Sequence, residues 1–425
     1  MRWISYVIAT VIISNSFAQD SVYTQRYLAK STRFAWTTLG VDVLSLAGGT
    51  NARIDQGNLV EGSFGRTTIP RLTIGGIHFW GHADFYVTFP IGSLAVQQQS
   101  DPLLVRYRQG IETGARIYPW KLAPGKVRPF VGASRRLLSY KQEVENSPDA
   151  PSYQKFITPV QFGITYTTPR YLLTLSAYYQ RKQAATYFVA PTVTAPVTFD
   201  PLSLNVSFLW YWDTDRNYRT KSAAENLNRM YTVLRKENLL SAWYWGLGPS
   251  SALQMSRSPF LKENFPYLYD DFSGGFSPDL TFGRFFDRAE LHVGVSYRTY
   301  GAHLRGYEAD VRQRRHSFMI EGFKNLFDWL GFVPYVGVTG SLENLRTRVN
   351  GERHIETKPA LGIIFGWDIR VTKTGTGVLR TNLRYVPNLY ATVGDDKMMY
   401  NHLEFNFIQW VQYIGRRKAY ERYSE

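Results

Sequence analysis

The fold class predicted from the sequence is all-β: a transmembrane, antiparallel, up-and-down β-barrel of about sixteen strands made from two eight-strand repeats. Three observations carry it. Apolar and polar residues alternate in segment after segment, aromatic residues reach 16% of the chain, and one stretch of sequence occurs twice. Its first copy runs from Arg106 through Ile111-Glu112 to Trp120, breaks at Lys121 to Gly125, and resumes as Val127-Arg-Pro-Phe-Val-Gly-Ala133. The second runs from Ile320-Glu321 to Trp329, breaks at Leu330-Gly331, and resumes as Phe332-Val-Pro-Tyr-Val-Gly-Val338. Ile and Trp are nine residues apart in both copies (111 to 120, 320 to 329).

Strict alternation in the first copy assigns Arg106, Arg108, Gly110, Glu112, Gly114 and Arg116 to one face, and Val105, Tyr107, Ile111, Ala115 and Ile117 to the other. A period of two is a strand. The charged face cannot be the core of a soluble sandwich, and the apolar face ends in Tyr118 and Trp120. Apolar outside, polar inside and aromatic at the rim is the pattern of a membrane-spanning barrel.

Residues 1–18 read as an export signal. Arg2 precedes the apolar run Trp3 to Ile13, and Ser16-x-Ala18 places small residues before a cut between Ala18 and Gln19. No later apolar run is long enough for a spanning helix. Cysteine is absent, which suits a protein that crosses the periplasm without disulfides. The net charge of +15 would suggest nucleic acid in a cytosolic protein. Export removes that partner and assigns the basic surplus to anionic lipopolysaccharide or an anionic solute. The expected location is the cell outer membrane. The expected partners are its lipid and lipopolysaccharide, the barrel-assembly machinery and possible small solutes.

Taken in order, the first repeat (19–214) opens with a strand at Phe34 to Leu46, ended by Gly48-Gly49. The second strand starts at Pro70-Arg-Leu-Thr-Ile-Gly75, turns near Gly81-His82, and returns as Asp84 to Pro90. Strands four and five form the hairpin already described. Strand six is Pro159 to Tyr166, strand seven Tyr171 to Tyr179 after a turn at Thr168-Pro169, and strand eight Leu202 to Trp212. Connections are tight after strands two, four and six and long after the odd-numbered ones, as in outer-membrane barrels with short periplasmic turns. Residues 215–240 form a linker. Within it, Leu227, Met230, Tyr231 and Leu234 recur at helical spacing, which predicts one amphipathic periplasmic helix over Lys221 to Leu240.

The second repeat (241–425) restates the first. Pro278-Asp-Leu-Thr-Phe-Gly283 answers Pro70 to Gly75, Ala289-Glu-Leu-His-Val293 answers Ala83 to Val87, and Leu403 to Phe407 answers Leu204 to Phe208. Their common order marks a tandem duplication. The unit resembles the outer-membrane β-barrel domain family common in exported proteins of the Bacteroidetes, related in style to the small OmpA/OmpX-type barrels. Ile111-Glu-Thr-Gly-Ala-Arg-Ile-Tyr118, Arg128-Pro-Phe-Val-Gly132 and Phe17-Ala18-Gln19 carry the resemblance. The resemblance implies no shared activity. One departure is that the family's unit stands alone, whereas two are joined here. Fusing them into one sixteen-strand barrel is preferred over two tandem eight-strand barrels, since two barrels in one chain would be unusual and fusion needs only one new strand pairing at each seam. The wider ring would leave an aqueous channel.

Lumen-facing candidates are Arg106, Arg108, Glu112, Arg116, Glu290, His292, Glu321, Asp368, Arg370, Arg380, Arg384 and Glu404. Charges of both signs suit either a pore lining or a self-satisfied network. Chemistry is weakly signalled. His316-Ser317 are neighbours in a strand and face opposite sides. Glu290, His292 and Ser296 share a face as an acid-His-Ser line, without a strained Gly-flanked elbow around the serine. Neither metal spacing nor cofactor motif is present, so no enzyme and no cofactor are expected. Asp270-Asp271 reads as a polar turn, and Arg312-Gln-Arg-Arg-His316 as a basic outer loop able to grip lipid phosphates. The leading expectation is a passive pore for small solutes. A closed structural or adhesive barrel with surface-contacting loops is the alternative, and an outer-membrane hydrolase ranks third.

Overall fold

The computed structural model describes residues 36–97, 104–143, 150–213, 229–230, 232–269, 277–328, 332–370 and 376–424. Eight strands form the first unit: β1 (Trp36–Leu46), β2 (Thr67–His78), β3 (Ala83–Pro90), β4 (Leu104–Ile117), β5 (Lys126–Glu143), β6 (Val160–Thr167), β7 (Tyr171–Tyr179) and β8 (Leu202–Asp213). Each is antiparallel to its chain neighbours, and β1 pairs with both β2 and β8. The ring therefore closes on itself. Eight more form the second unit: β9 (Ala242–Gln254), β10 (Ser277–Phe286), β11 (Leu291–Gly306), β12 (Ala309–Asn325), β13 (Phe332–Val349), β14 (Glu352–Arg370), β15 (Gly377–Tyr385) and β16 (His402–Tyr413). They make a closed barrel in which β9 pairs with β16.

Two eight-strand rings thus replace the expected sixteen-strand barrel. The deciding contacts are at the seams. A single ring would pair β1 with β16 and β8 with β9; instead Trp36 sits opposite Asp213 and Tyr244 opposite Tyr413. The units touch along their outer walls, where Phe79 and Phe332 lie 6.0 Å apart edge to face and Phe89 and Phe407 lie 5.9 Å apart. At the long-loop end, the Tyr307 hydroxyl donates to Phe188 O and the Tyr269 hydroxyl to Thr186 O, each at 2.9 Å.

Alternation explains the strands. In β1, Thr38, Gly40, Asp42 and Leu44 are buried within the ring while Leu39, Val41 and Val43 are exposed outside it. Outward Leu, Val, Ile and Phe side chains form an apolar belt around both units. Tight connections gather at one end. Thr168 builds one of them, its hydroxyl accepting from the amides of Arg170 and Tyr171 at 3.3 and 3.0 Å. The opposite end carries the long connections, including the hairpins Gly49–Asp55/Asn58–Phe64 and Gln183–Ala190/Val193–Phe199. In the second barrel that end is reached by the strands themselves. β11 to β14 run 16, 17, 18 and 19 residues and meet at two-residue tips. At one tip, Asn350 and Gly351 both have positive φ (46° and 103°), as a type I′ turn requires.

Of the expected linker helix, residues 229–230 and 232–236 are helical, and the remainder of its N-terminal part lies outside the described residues. No helix among the described residues is long and apolar enough to cross a membrane, which says nothing of strands.

Candidate functional site inside the two rings

The inward side chains are large, charged and sealed. In the first ring Arg71 donates to Glu112 at 2.7 Å and to Asn205 at 3.0 Å, and clasps Asp42 through two nitrogens. Glu112 also accepts from Tyr86 at 3.0 Å and Gln109 at 2.9 Å. Arg116 pairs with Asp84 at 3.0 Å and lies over the Tyr86 ring. Arg136 lies over the Tyr178 ring, 5.2 Å from its centre. Asp42, Asp84 and Glu112 thus balance Arg71, Arg116 and Arg136, and all six are at most 2% exposed.

The second barrel holds a continuous ladder of alternating sign. It runs Glu343, Arg315, Glu404, Arg298, Asp279, Arg384, Glu321. Arg315 bonds Glu343 at 2.7 Å and Glu404 at 2.9 Å, and Arg298 bonds Glu404 at 2.9 Å. Ser317 and Ser296 cap Glu343 and Glu321. Nearer the tight-turn end, Arg380 holds Asp368 through two nitrogens at 2.8 Å and is stacked among Tyr244, Phe323 and Tyr335. Buried charges persist only when paired. Each inner rung has an opposite charge on both sides, and the end rungs Glu343 and Glu321 have an arginine on one side and a serine hydroxyl beside them.

Most lumen candidates fall within these networks: Glu112, Arg116, Glu321, Asp368, Arg380, Arg384 and Glu404 are all buried inside. Four do not. Arg106 and Arg108 point outward, because the register of β4 against β5 shifts between Gln109 and Glu112. One extra residue in a strand reverses which side chains face in; beyond the bulge Glu112, Arg116 and Tyr118 are inside, and before it Tyr107 and Gln109 are. Glu290 belongs to no strand face. It caps the turn Asp287–Ala289 with φ 51°, so Glu290 does not share a strand face with His292 and Ser296, and the acid-His-Ser line that the sequence already disfavoured does not form. His292 is buried among Phe285, Phe323 and Tyr244, neither ring nitrogen has a hydrogen-bond partner, and Ser296 is committed to Glu321. Arg370 sits at the rim, bonded to Asp328 at 2.7 Å.

The basic segment Arg312 to His316 is another correction: it is strand, not loop. Val311 to Asn325 pairs residue by residue with β13, so Arg315 turns inward to the ladder while Arg312, Arg314 and His316 face out. Ser317 faces in, opposite to His316, as expected of strand neighbours. Ala18, Gln19, Asp270 and Asp271 lie outside the described residues. Among the described residues no group of three or more His, Asp or Glu side chains could hold a metal ion.

Asp42, Arg71, Asp279, Arg298, Arg315 and Glu343 escaped the sequence reading. For three of them the signal was available: Asp42 between Val41 and Val43, Arg71 between Pro70 and Leu72, and Asp279 between Pro278 and Leu280 are lone charges at inward positions of an apolar alternation. The two copies also rewire the network. Arg71 and Asp279 hold equivalent positions with opposite charge, while Glu112 and Glu321 keep theirs.

No protein-family model matches the chain, and no curated protein matches it. Solved structures do. Neisserial surface protein A is similar over 41% of this chain and 97% of its own, at 20% identity and a TM-score of 0.29. OprG, an outer membrane protein from Pseudomonas aeruginosa, is similar over 43% of this chain and 97% of its own (12% identity, TM-score 0.30). An outer membrane channel from Pseudomonas putida F1 is similar over 91% of this chain and 98% of its own (10% identity, TM-score 0.22).

Proposed function

We propose that the chain is a non-enzymatic outer-membrane protein whose two closed barrels anchor it and present long hairpins at the cell surface. The membrane reading is supported by the outward apolar belt and by tight turns collected at one end, which is the periplasmic end. Exposed aromatics such as Trp120, Trp210, Trp243 and Trp410 stand toward that end of the belt, where amphipathic rings favour the interface.

The observation that carries the closed reading is the burial of Arg71, Arg116, Arg136, Arg298, Arg315, Arg380 and Arg384, each less than 2% exposed. A lumen that passed hydrated solutes would wet these guanidinium groups. Eight strands enclose a space that side chains just fill, and here they fill it with paired charge. The argument for a wide pore rested on a sixteen-strand ring, which the seams do not form.

Planar-bilayer recording tests the proposal. Refolded protein that migrates faster unboiled than boiled should leave the bilayer electrically silent at moderate voltage. Discrete, reproducible conductance steps from the same material would overturn the closed reading and restore the pore.

A further inference from the structure

Beyond the apolar belt, the outward faces of β11 to β14 carry cations directly opposite cations. His303 faces Arg312, Arg312 faces Arg348, and Arg348 faces Arg353; two residues nearer the belt, Arg314 faces Arg346. All five arginines are exposed. One carboxylate serves this surface: Asp310 takes His303 at 3.1 Å, Arg312 at 3.2 Å and Arg305 at 3.4 Å. Among the described residues no carboxylate lies within ion-pair distance of Arg314, Arg346, Arg348 or Arg353, although Arg346 donates to Asn344 at 2.7 Å. Like charges directly opposite one another destabilise a sheet. A chain that keeps two such pairs, Arg348 with Arg353 and Arg314 with Arg346, without internal counter-ions is built for an external one.

What lies beneath narrows the choice of anion. After a polar row that includes His316, whose ring bonds the Tyr297 hydroxyl at 2.8 Å, the same strands turn apolar. There Leu247, Leu280, Phe282, Val295, Ile320 and Leu342 line a shallow outward depression of about 880 Å³. At about 3.3 Å per residue, the arginine row at Arg314 stands roughly 13 Å along the strand from the apolar row at Phe318, within the roughly 20 Å depth of one leaflet. A free inorganic anion would use the arginines and leave the depression idle. A phosphorylated lipid uses both.

We infer that this face of the second barrel binds the phosphorylated headgroup of an outer-leaflet glycolipid, with its acyl chains in the depression below; the inference rests on the membrane reading proposed above. The guanidinium forks grip phosphate oxygens through paired, charge-assisted hydrogen bonds. The lipid thereby neutralises a repulsion that the protein leaves open.

The test uses the full chain inserted in phosphatidylcholine vesicles, with lipopolysaccharide added and binding read as retention of labelled glycolipid on the purified protein. Three variants are compared: R314Q/R346Q/R348Q, the charge-keeping R314K/R346K/R348K, and K121Q/K126Q/K324Q, which removes three exposed cations from the tight-turn end. The wild type and the last variant should retain glycolipid equally, the glutamine variant roughly tenfold less, and the lysine variant an intermediate amount. Dephosphorylated glycolipid should bind the wild type as weakly as the glutamine variant binds the intact one. Equal retention by wild type and glutamine variant, both showing the unboiled mobility of an inserted barrel, overturns the inference alone. So does displacement by millimolar inorganic phosphate, which assigns the arginines to a free anion. Failure of the wild type to insert overturns the membrane reading and this site with it.

Discussion

Replacing Arg71 with Met measures whether the first ring is dry. Arg71 is fully buried, and its loss leaves Asp42 and Glu112 without the cation that both contact. The three acids and three arginines of that ring then carry one uncompensated negative charge. A sealed ring can remove the charge by protonating one carboxyl. At 1.36 kcal/mol per pH unit, that costs about 4 kcal/mol at pH 7 for a group that ordinarily titrates near 4, and about 1 kcal/mol at pH 5. The ceiling agrees with the roughly 3–5 kcal/mol measured when one partner of a buried pair is removed. The expected loss is therefore about 3–4 kcal/mol at pH 7, most of it recovered at pH 5, and most recovered at pH 7 by the double variant R71M/D42N. Urea unfolding in lipid vesicles, followed by tryptophan fluorescence and unboiled mobility, gives the values. In a water-filled lumen the same pair would be worth under about 1 kcal/mol. A loss that small, or one unchanged between the two pH values, refutes the sealed ring.

Three further outcomes are expected. Val131→Arg places charge on the outward belt and should cost about 2–4 kcal/mol in the same unfolding assay; Gly114→Ala should cost about 1–3 kcal/mol, since its methyl would meet the Tyr86 ring and Ser134 inside. Cysteines at Val43 and Val206, direct partners across the first seam, should cross-link on oxidation, while cysteines at Val43 and Leu403 should not; the reverse result restores one wide barrel. The hydrogen bond from Arg312, with His303 and Arg312 charge nearby, holds the Asp310 carboxyl below its usual range. Its stabilisation is then present above about pH 4 and lost as pH falls through the depressed value, so Asp310→Asn should cost under about 1 kcal/mol at pH 7 and progressively less as the pH falls through that value.

Much of the wall was legible because period-two patterning depends on neighbours in sequence. Tyr171–Tyr179 has the bounds read from its alternation, the Thr168-Pro169 turn falls where its residues require, and the duplication survives as two rings of equal strand number. Closure was not legible. Periodicity tells a strand which face is apolar but not which distant strand it will bond, so the seams of one ring and of two look alike in sequence. The bulge at Gly110 and Ile111 hid for a related reason: nothing near Arg106 and Arg108 distinguishes an inward from an outward phase until the partner strand sets it. Arg312 to His316 misled because a run of cations suggests a loop, whereas β12 tolerates it by sending Arg315 in and its neighbours out.

Because each ring seals its own seam, the chain solves a smaller folding problem twice. Joining residue 36 to 213, and 244 to 413, brings together positions well under half the chain apart, where one wide ring would have had to hold its first strand open until the last was made. Shorter closure lowers the entropy lost before any seam bond forms and shortens the time a bare strand edge is available to a stray partner. Biogenesis of this protein is then expected to proceed as two completed insertions followed by lateral docking. On the membrane reading proposed above, the aromatic contacts between Phe79 and Phe332 and between Phe89 and Phe407 would form in that last step, as a rendezvous of finished cylinders.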